Sequence, residues 1–86
     1  GEEFIMLLPG KDMMQAAEFA ERCRQTIEAS VCHFEDLDIK VTMSFGVSAL
    51  NPELTTAENV QSADEKLYYA KSHGRNRVIH TIPESE

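Results

Sequence analysis

Two adjacent carboxylates, Glu2 and Glu3, stand directly before the apolar run of residues 4–8. Carboxylate oxygens suit Mg²⁺, which usually keeps waters and substrate phosphates among its other ligands. Because side chains alternate between the two faces of a strand, only one glutamate is well placed for a given ion if the strand begins here. The alternative is a pair of solvated acids at a strand edge, and composition alone favours that alternative.

A basic cluster lies near the C-terminus and has no acidic residue within it; its members are Lys66, Lys71, Arg75 and Arg77. The cluster holds four of the eight Lys and Arg residues in a chain of net charge −7, so the sign of the charge reverses locally. Lys71 and Arg75 flank Gly74, and their side chains can converge on one anion. Basic residues in a last helical turn also stabilise the helix dipole by roughly 0.3–1 kcal/mol without a ligand. The sequence alone does not separate these two roles.

A third set of small polar residues shares one face of a predicted strand; its members are Thr42, Ser44, Gly46 and Ser48. Such small side chains could allow close approach of a substrate or of another backbone. The alternative is that a helix packs over them, and this packing interpretation is favoured. The three histidines show no metal-ligand spacing. The sequence contains no glycine-rich phosphate loop and no nucleophile elbow.

The elements that position these residues begin with a short strand and a helix. Residues 4–8 are almost wholly apolar and are closed by Pro9 and Gly10, which predicts a strand buried on both faces. Asp12 is placed to cap a helix over residues 13–31, where apolar or small side chains recur every three or four positions.

The middle and the end of the chain predict two further strands. Residues 32–38 are mixed and polar, and a loop is not separable there from a short edge strand. Residues 39–49 alternate strictly between apolar and polar side chains, which indicates a strand with one packed face. Residues 77–82 read as a final strand.

A second helix separates these two strands. Thr55 and Glu58 have the spacing of a capping box, in which each side chain satisfies a free backbone amide at a helix start. The helix is predicted to run to about His73, and Gly74 is placed to adopt the left-handed conformation that closes it.

Length and composition limit the class of protein. Eighty-six residues make one domain at most, with a thin core. The hydrophobic fraction of 42% and the charged fraction of 27% are typical of a soluble globular protein. No apolar run approaches the ~20 residues of a membrane span, and the net charge of −7 disfavours non-specific binding to nucleic acid or anionic lipid. Cys23 and Cys32 are interpreted as reduced, intracellular thiols.

Three segments together resemble the GGDEF family. The first four residues are similar to the end of its signature motif in the GGEEF spelling, with the first glycine cut off. Residues 41–48 resemble the family's central strand, and residues 63–78 match its closing block. The family usually has a small residue where Lys66 stands, a departure at an exposed-looking position.

The resemblance implies the fold and the extent of the domain. It indicates an α+β fold, the C-terminal half of a palm-like nucleotidyl cyclase domain, with elements in the order strand, helix, strand, helix, strand. Two helices are expected to pack on a mostly antiparallel sheet. Residues 1–82 would be the partial domain and residues 83–86 a polar tail. The domain is expected to be partial because the chain opens without methionine and looks like a fragment.

The resemblance also implies an activity and a set of site residues. Members of the family that are diguanylate cyclases condense two GTP molecules into cyclic di-GMP, each GTP held by one of two copies of the domain. The cofactor would be Mg²⁺ or Mn²⁺. By motif position, Glu2 would be a metal ligand and Glu3 a nearby catalytic carboxylate. Gly1, Lys71 and Arg75 would bind the substrate phosphates.

Other parts of the family's site have no counterpart in this chain. The missing parts are a first-strand aspartate for the metals, the residues that bind guanine, and an upstream RxxD inhibitory site. The resemblance therefore implies that activity depends on a missing N-terminal half and on an upstream sensory domain. It also implies a cytoplasmic location, with any membrane anchor upstream. The isolated fragment is expected to be inactive. Unpaired sheet edges predict self-association of that fragment. The alternative function is a catalytically silent GGDEF-type regulatory or GTP-binding module.

Overall fold

Helix α1, Met13–Ala29, begins at a capping box that the sequence predicted in part. The computed structural model describes residues 3–83 of the chain. The Asp12 side chain accepts a hydrogen bond from the backbone N–H of Gln15 at 2.8 Å, and the Gln15 side chain accepts one from the N–H of Asp12 at 2.9 Å. The predicted helix and its cap are confirmed, although the helix ends two residues earlier than residue 31.

A β-hairpin follows α1 and decides the question that residues 32–38 left open. Strands β1, Cys32–Phe34, and β2, Leu37–Ile39, pair antiparallel with Phe34 opposite Leu37. Glu35 adopts a positive φ of 54° in the turn between them. The hairpin takes up the start of the strand predicted over residues 39–49, which is regular only at β3, Phe45–Gly46.

Helix α2, Thr56–Ser72, has the predicted start and end. The Thr55 hydroxyl accepts from the N–H of Glu58 at 3.1 Å, and the Glu58 carboxylate accepts from the N–H of Thr55 at 2.9 Å. Gly74 closes the helix with a φ of 112°, as predicted. The capping box and the glycine therefore fix where α2 begins and where it stops.

Strand β4, Val78–Ile79, pairs in parallel with β3. The backbone N–H of Phe45 donates to the carbonyl of Arg77, and that of Val47 donates to the carbonyl of Ile79, both at 2.9 Å. Within residues 3–83 there are thus two two-stranded sheets, one antiparallel and one parallel, and not the mostly antiparallel sheet that was expected.

The strand predicted at residues 4–8 does not form. Among the described residues, the backbone of this segment has one hydrogen bond outside it, from the N–H of Lys11 to the carbonyl of Leu8. A strand needs a neighbour to satisfy its amides and carbonyls, and no other segment of residues 3–83 supplies one here. The observed order is therefore helix, strand, strand, strand, helix, strand.

The buried core is small and is built from small side chains. Ala17, Ala20 and Ala70 are 7%, 6% and 0% exposed, and they lie on the two helices. Helix α2 packs on β3 and β4, and α1 packs on β4. Many large apolar side chains stay exposed, including those of residues 4–7. Among the described residues, no helix combines the length and the apolar character that crossing a membrane requires.

Gly46 lets α2 approach β3 closely. A Cβ at this position would overlap the carbonyl oxygen of Ala63 and the amide nitrogen of Leu67, both in the α2 backbone. The packing interpretation of the small polar face is therefore confirmed at Gly46. Because the obstructing atoms are backbone, a side-chain rotation cannot relieve the overlap.

We predict that Gly46→Ala destabilises the chain by more than 2 kcal/mol, since overpacking usually costs about 1–3 kcal/mol and here the helix itself must move. The control is Gly10→Ala, which has a positive φ of 77° but no atom within 4 Å of the added Cβ. It should lose only the left-handed backbone penalty, roughly 1–2 kcal/mol. Urea unfolding of both variants measures the difference, and equal losses would contradict the close approach at Gly46.

Candidate functional site

The end of α2 meets the N-terminal segment through an ion pair. The Lys71 ammonium donates to the Glu3 carboxylate at 2.9 Å, although the two residues lie 68 positions apart in sequence. The two side chains are 36% and 55% exposed. Exposed ion pairs contribute about 0–1 kcal/mol, so Lys71 loses little free energy if it exchanges this carboxylate for another anion.

Arg75 lies at the same end of α2, just beyond Gly74. Its backbone has a positive φ of 62°. Its N–H donates to the carbonyl of Ala70 at 2.9 Å, and its own carbonyl accepts from Arg77 Nε at 3.0 Å. Within residues 3–83 its exposed guanidinium has no hydrogen-bond or ion-pair partner. The guanidinium therefore remains available for a bidentate contact with an anion.

The other two members of the basic cluster have structural partners. Lys66 Nζ donates to the hydroxyls of Ser48 at 2.6 Å and Ser62 at 3.2 Å. Lys66 lies on the face of α2 that packs on β3, and it is half-buried there. The prediction from the sequence that this position is exposed is therefore wrong. Arg77 bonds the carbonyl of Arg75. Of the four basic residues, Lys71 and Arg75 lie at the end of α2, Lys71 in an exposed ion pair and Arg75 with a guanidinium that has no hydrogen-bond or ion-pair partner in residues 3–83.

Two of the predicted site residues, Gly1 and Glu2, lie outside the described residues. Residues 3–83 contain no group of three His, Cys, Asp or Glu side chains that could hold a metal ion. Mg²⁺ sites on nucleotides usually need only one or two carboxylates, with phosphates and waters as the other ligands. The half-exposed carboxylate of Glu3 is a hard oxygen donor of that kind.

Asn76 is the residue that sequence reasoning missed. Its backbone N–H donates to the Ser44 hydroxyl at 2.9 Å, and its Oδ1 accepts from Arg24 Nη1 at 2.9 Å. Its Nδ2 donates to the carboxylate of Glu28. Asn is the side chain that best tolerates a left-handed backbone after Gly, so its position two residues beyond Gly74 is a signal that could have drawn attention to it. Its partners on α1 are not readable from sequence.

Arg24 is fixed by carboxylates on its own helix. Its Nε and Nη2 donate to the two carboxylate oxygens of Glu21 at 2.8 and 2.7 Å. Hydrogen bonds from Arg24, and then from Gln25, lower the pKa of Glu21 from 4.5 to about 2. The same pairing raises the pKa of Arg24 above its usual value. The Arg24 side chain, 15% exposed, is thereby held in place to reach Asn76.

Comparison with known proteins agrees with the resemblance. Residues 1–77 match the family model described as "Diguanylate cyclase, GGDEF domain". The chain is 42% identical to diguanylate cyclase A of Treponema denticola over 79 residues, which is 91% of this chain and 21% of that protein. It is 40% identical over 83 residues to response regulator PleD of Caulobacter vibrioides, covering 92% and 18%. It is 35% identical over 78 residues to diguanylate cyclase DgcP of Pseudomonas aeruginosa, covering 91% and 12%.

The chain therefore spans about a fifth or less of the length of these relatives. The residues that the structure places together, Glu3 and Lys71, both fall within the stretch matched by the family model. So do Arg75 and Asn76.

We predict that the Glu21–Arg24 pair makes stability depend on acid pH. The folded-state pKa of Glu21, about 2, lies below its ordinary 4.5, so the stabilisation is complete above pH 4.5 and is lost as the pH falls toward 2. Glu21→Gln should flatten the stability curve in that window, whereas Glu18→Gln, an exposed acid on the same helix, should not. Thermal unfolding from pH 2 to 7 provides the measurement. A Glu21→Gln curve parallel to that of the wild type would contradict the coupling.

Proposed function

This chain belongs to the GGDEF family, and from that membership we propose that it forms part of a diguanylate cyclase, an enzyme that condenses two GTP molecules into cyclic di-GMP. The proposed segment is residues 1–82, followed by a polar tail at 83–86. Since the chain spans only about a fifth or less of its relatives, the activity is proposed for the full-length protein. The missing N-terminal half of the domain would supply guanine recognition and further metal ligands.

The observation that carries the proposal is the 2.9 Å contact between Lys71 and Glu3. It joins the two segments of the sequence that carry clustered charges, the acidic N-terminal motif and the basic end of α2. A nucleotide triphosphate with its cation needs such a neighbourhood, because the carboxylates face the cation while the basic side chains face the phosphates. An ion pair on the surface that binds no ligand would not require both of its segments to resemble family motifs.

Each residue then has a distinct role in the proposed site. Lys71 acts as a point charge on the terminal phosphates, and the exposed guanidinium of Arg75 binds them as a planar fork. Gly1 lets the nucleotide approach the backbone. Glu2 would hold Mg²⁺ or Mn²⁺, with Glu3 beside it. The bound ion would offset negative charge on the triphosphate and on the attacking oxygen.

The reaction requires two copies of the domain facing each other. In each half-reaction the 3′-hydroxyl oxygen of one GTP bonds to the α-phosphorus of the other. The bond from that phosphorus to the bridging oxygen breaks, pyrophosphate leaves, and the hydroxyl proton is released. Two such steps close the ring of cyclic di-GMP and release two pyrophosphates. We propose a second copy of the domain as the partner that holds the second GTP.

We predict that Lys71→Ala and Arg75→Ala in the full-length protein each weaken GTP binding roughly 10- to 150-fold, the equivalent of about 1.5–3 kcal/mol for a charge-assisted hydrogen bond. Guanosine, which lacks phosphates, should bind unchanged. Lys40→Ala, at an exposed lysine outside the site, is the matched control. Isothermal titration with both ligands decides the matter: equal losses for GTP and guanosine would return both residues to a purely structural role at the helix end.

We further predict that Glu2→Gln in the full-length protein abolishes cyclic di-GMP formation, because an amide does not supply the anionic oxygen that the cation needs. Glu53→Gln, at an exposed glutamate in the loop before α2, should leave turnover intact. Product formation with Mg²⁺ present is the assay. Wild-type turnover in Glu2→Gln would remove Glu2 as a ligand. GTP binding without turnover in the wild type would favour the silent regulatory or GTP-binding module instead.

A further inference from the structure

We infer that Asn76 is a positioning residue for the phosphate-binding arginine, an inference that rests on the proposed function. Its hydrogen bonds hold the left-handed turn beyond α2 and so fix the direction in which Arg75 leaves the backbone. Asn76 would not touch the nucleotide itself.

The turn contains three consecutive residues with positive φ: Gly74 at 112°, Arg75 at 62° and Asn76 at 47°. Glycine adopts this region freely, but a side chain such as that of Arg75 disfavours it. Arg75 therefore stays in this conformation only because surrounding contacts impose it.

Both peptide units that flank Arg75 are fixed by hydrogen bonds. On its N-terminal side, the N–H of Arg75 donates to the carbonyl of Ala70 at 2.9 Å. On its C-terminal side, one peptide unit carries the carbonyl of Arg75, which accepts from Arg77 Nε at 3.0 Å, and the N–H of Asn76, which donates to Ser44 Oγ at 2.9 Å. The φ and ψ of Arg75 are thus both restrained, and so is the direction of its Cα–Cβ bond.

The side chain of Asn76 ties this turn to the rest of the protein. Its Oδ1 accepts from Arg24 and its Nδ2 donates to Glu28, so the amide is held between a cation and a carboxylate on α1. Arg24 is itself oriented by Glu21 on the same helix. These charge-assisted bonds connect the turn to a helix 48 to 52 residues away in sequence.

A swap of amide and carboxylate tests this arrangement. Asn76→Asp places a carboxylate against Glu28, so the two repel. Asn76→Asp combined with Glu28→Gln restores the hydrogen bond, with the new glutamine amide as donor, and keeps the acceptor for Arg24. Glu28→Gln alone keeps one amide oxygen for Asn76 but loses the carboxylate oxygen that pairs with Arg24 at 3.4 Å, so it should weaken GTP binding less than Asn76→Asp does.

In the full-length protein we expect Asn76→Ala and Asn76→Asp to weaken GTP binding on the order of 10-fold while guanosine binding stays unchanged, since misplacement of a positioned group costs this much or more. Asn76→Asp with Glu28→Gln should return GTP affinity to within about threefold of the wild type. Asn76→Gly, which tolerates the left-handed backbone but lacks the side-chain bonds, replaces Asn76→Ala if that variant does not fold.

A double-mutant cycle separates positioning from general destabilisation. If Asn76 acts through Arg75, then Asn76→Ala adds no further loss of GTP affinity in an Arg75→Ala background but keeps its full effect in a Lys71→Ala background. Additive losses in both backgrounds, or equal losses for GTP and guanosine, would overturn the inference.

Amide hydrogen exchange in the 86-residue chain provides a readout that needs no nucleotide. Asn76→Ala should accelerate exchange of the Arg75 N–H on the order of 10-fold or more relative to amides in the middle of α2. Unchanged exchange at Arg75 would overturn the inference even if GTP binds as proposed. If Lys71→Ala and Arg75→Ala leave GTP binding intact while exchange at Arg75 accelerates, then the proposed function has failed and the control of the turn by Asn76 has not.

Discussion

The hydrogen bonds of Asn76 are the constraint on which the rest of this structure depends. Its backbone meets Ser44 just before β3, and its side chain meets Arg24 and Glu28 on α1. A non-glycine residue in the left-handed region costs roughly 1–2 kcal/mol, and the turn contains two of them. The charged partners on α1 offset that cost. Because β4 begins two residues later, the same bonds also set the register of the parallel pair.

This reliance on polar contacts follows from the small core. The buried residues among those described are three alanines, and each removes little apolar surface from water. Contact between elements therefore comes from close backbone approach, as at Gly46 under α2, and from hydrogen bonds such as those of Lys66 to Ser48 and Ser62. The segment around β3 serves both purposes, since Gly46 admits the helix, the Ser48 hydroxyl bonds Lys66 and Ser62, and the Ser44 hydroxyl accepts from the backbone N–H of Asn76.

The basic side chains of the chain differ in how far contacts within the protein engage them. Arg24, Lys66 and Arg77 are engaged with partners in the protein, and these contacts fix helix, strand and turn. Lys71 and Arg75 lie at the end of α2, Lys71 in an exposed ion pair and Arg75 with a guanidinium that has no partner in residues 3–83. In a chain of net charge −7, these two side chains form a local patch of positive charge, while the surface as a whole stays negative.

The sequence by itself determined the parts of the fold that depend on neighbouring residues. The Thr55–Glu58 capping box, the Asp12 cap, the two helices and the left-handed Gly74 were readable, because each depends on residues within four positions of the backbone groups concerned. The pairing of Lys71 with Glu3, the bonds of Lys66 to two serines and the hydrogen bonds of Asn76 to Ser44, Arg24 and Glu28 were decided only by the tertiary structure. So was the absence of a strand at residues 4–8. A strand or an ion pair exists only when a distant partner is brought to it, and an apolar or charged pattern reports the capacity for the contact without identifying the partner.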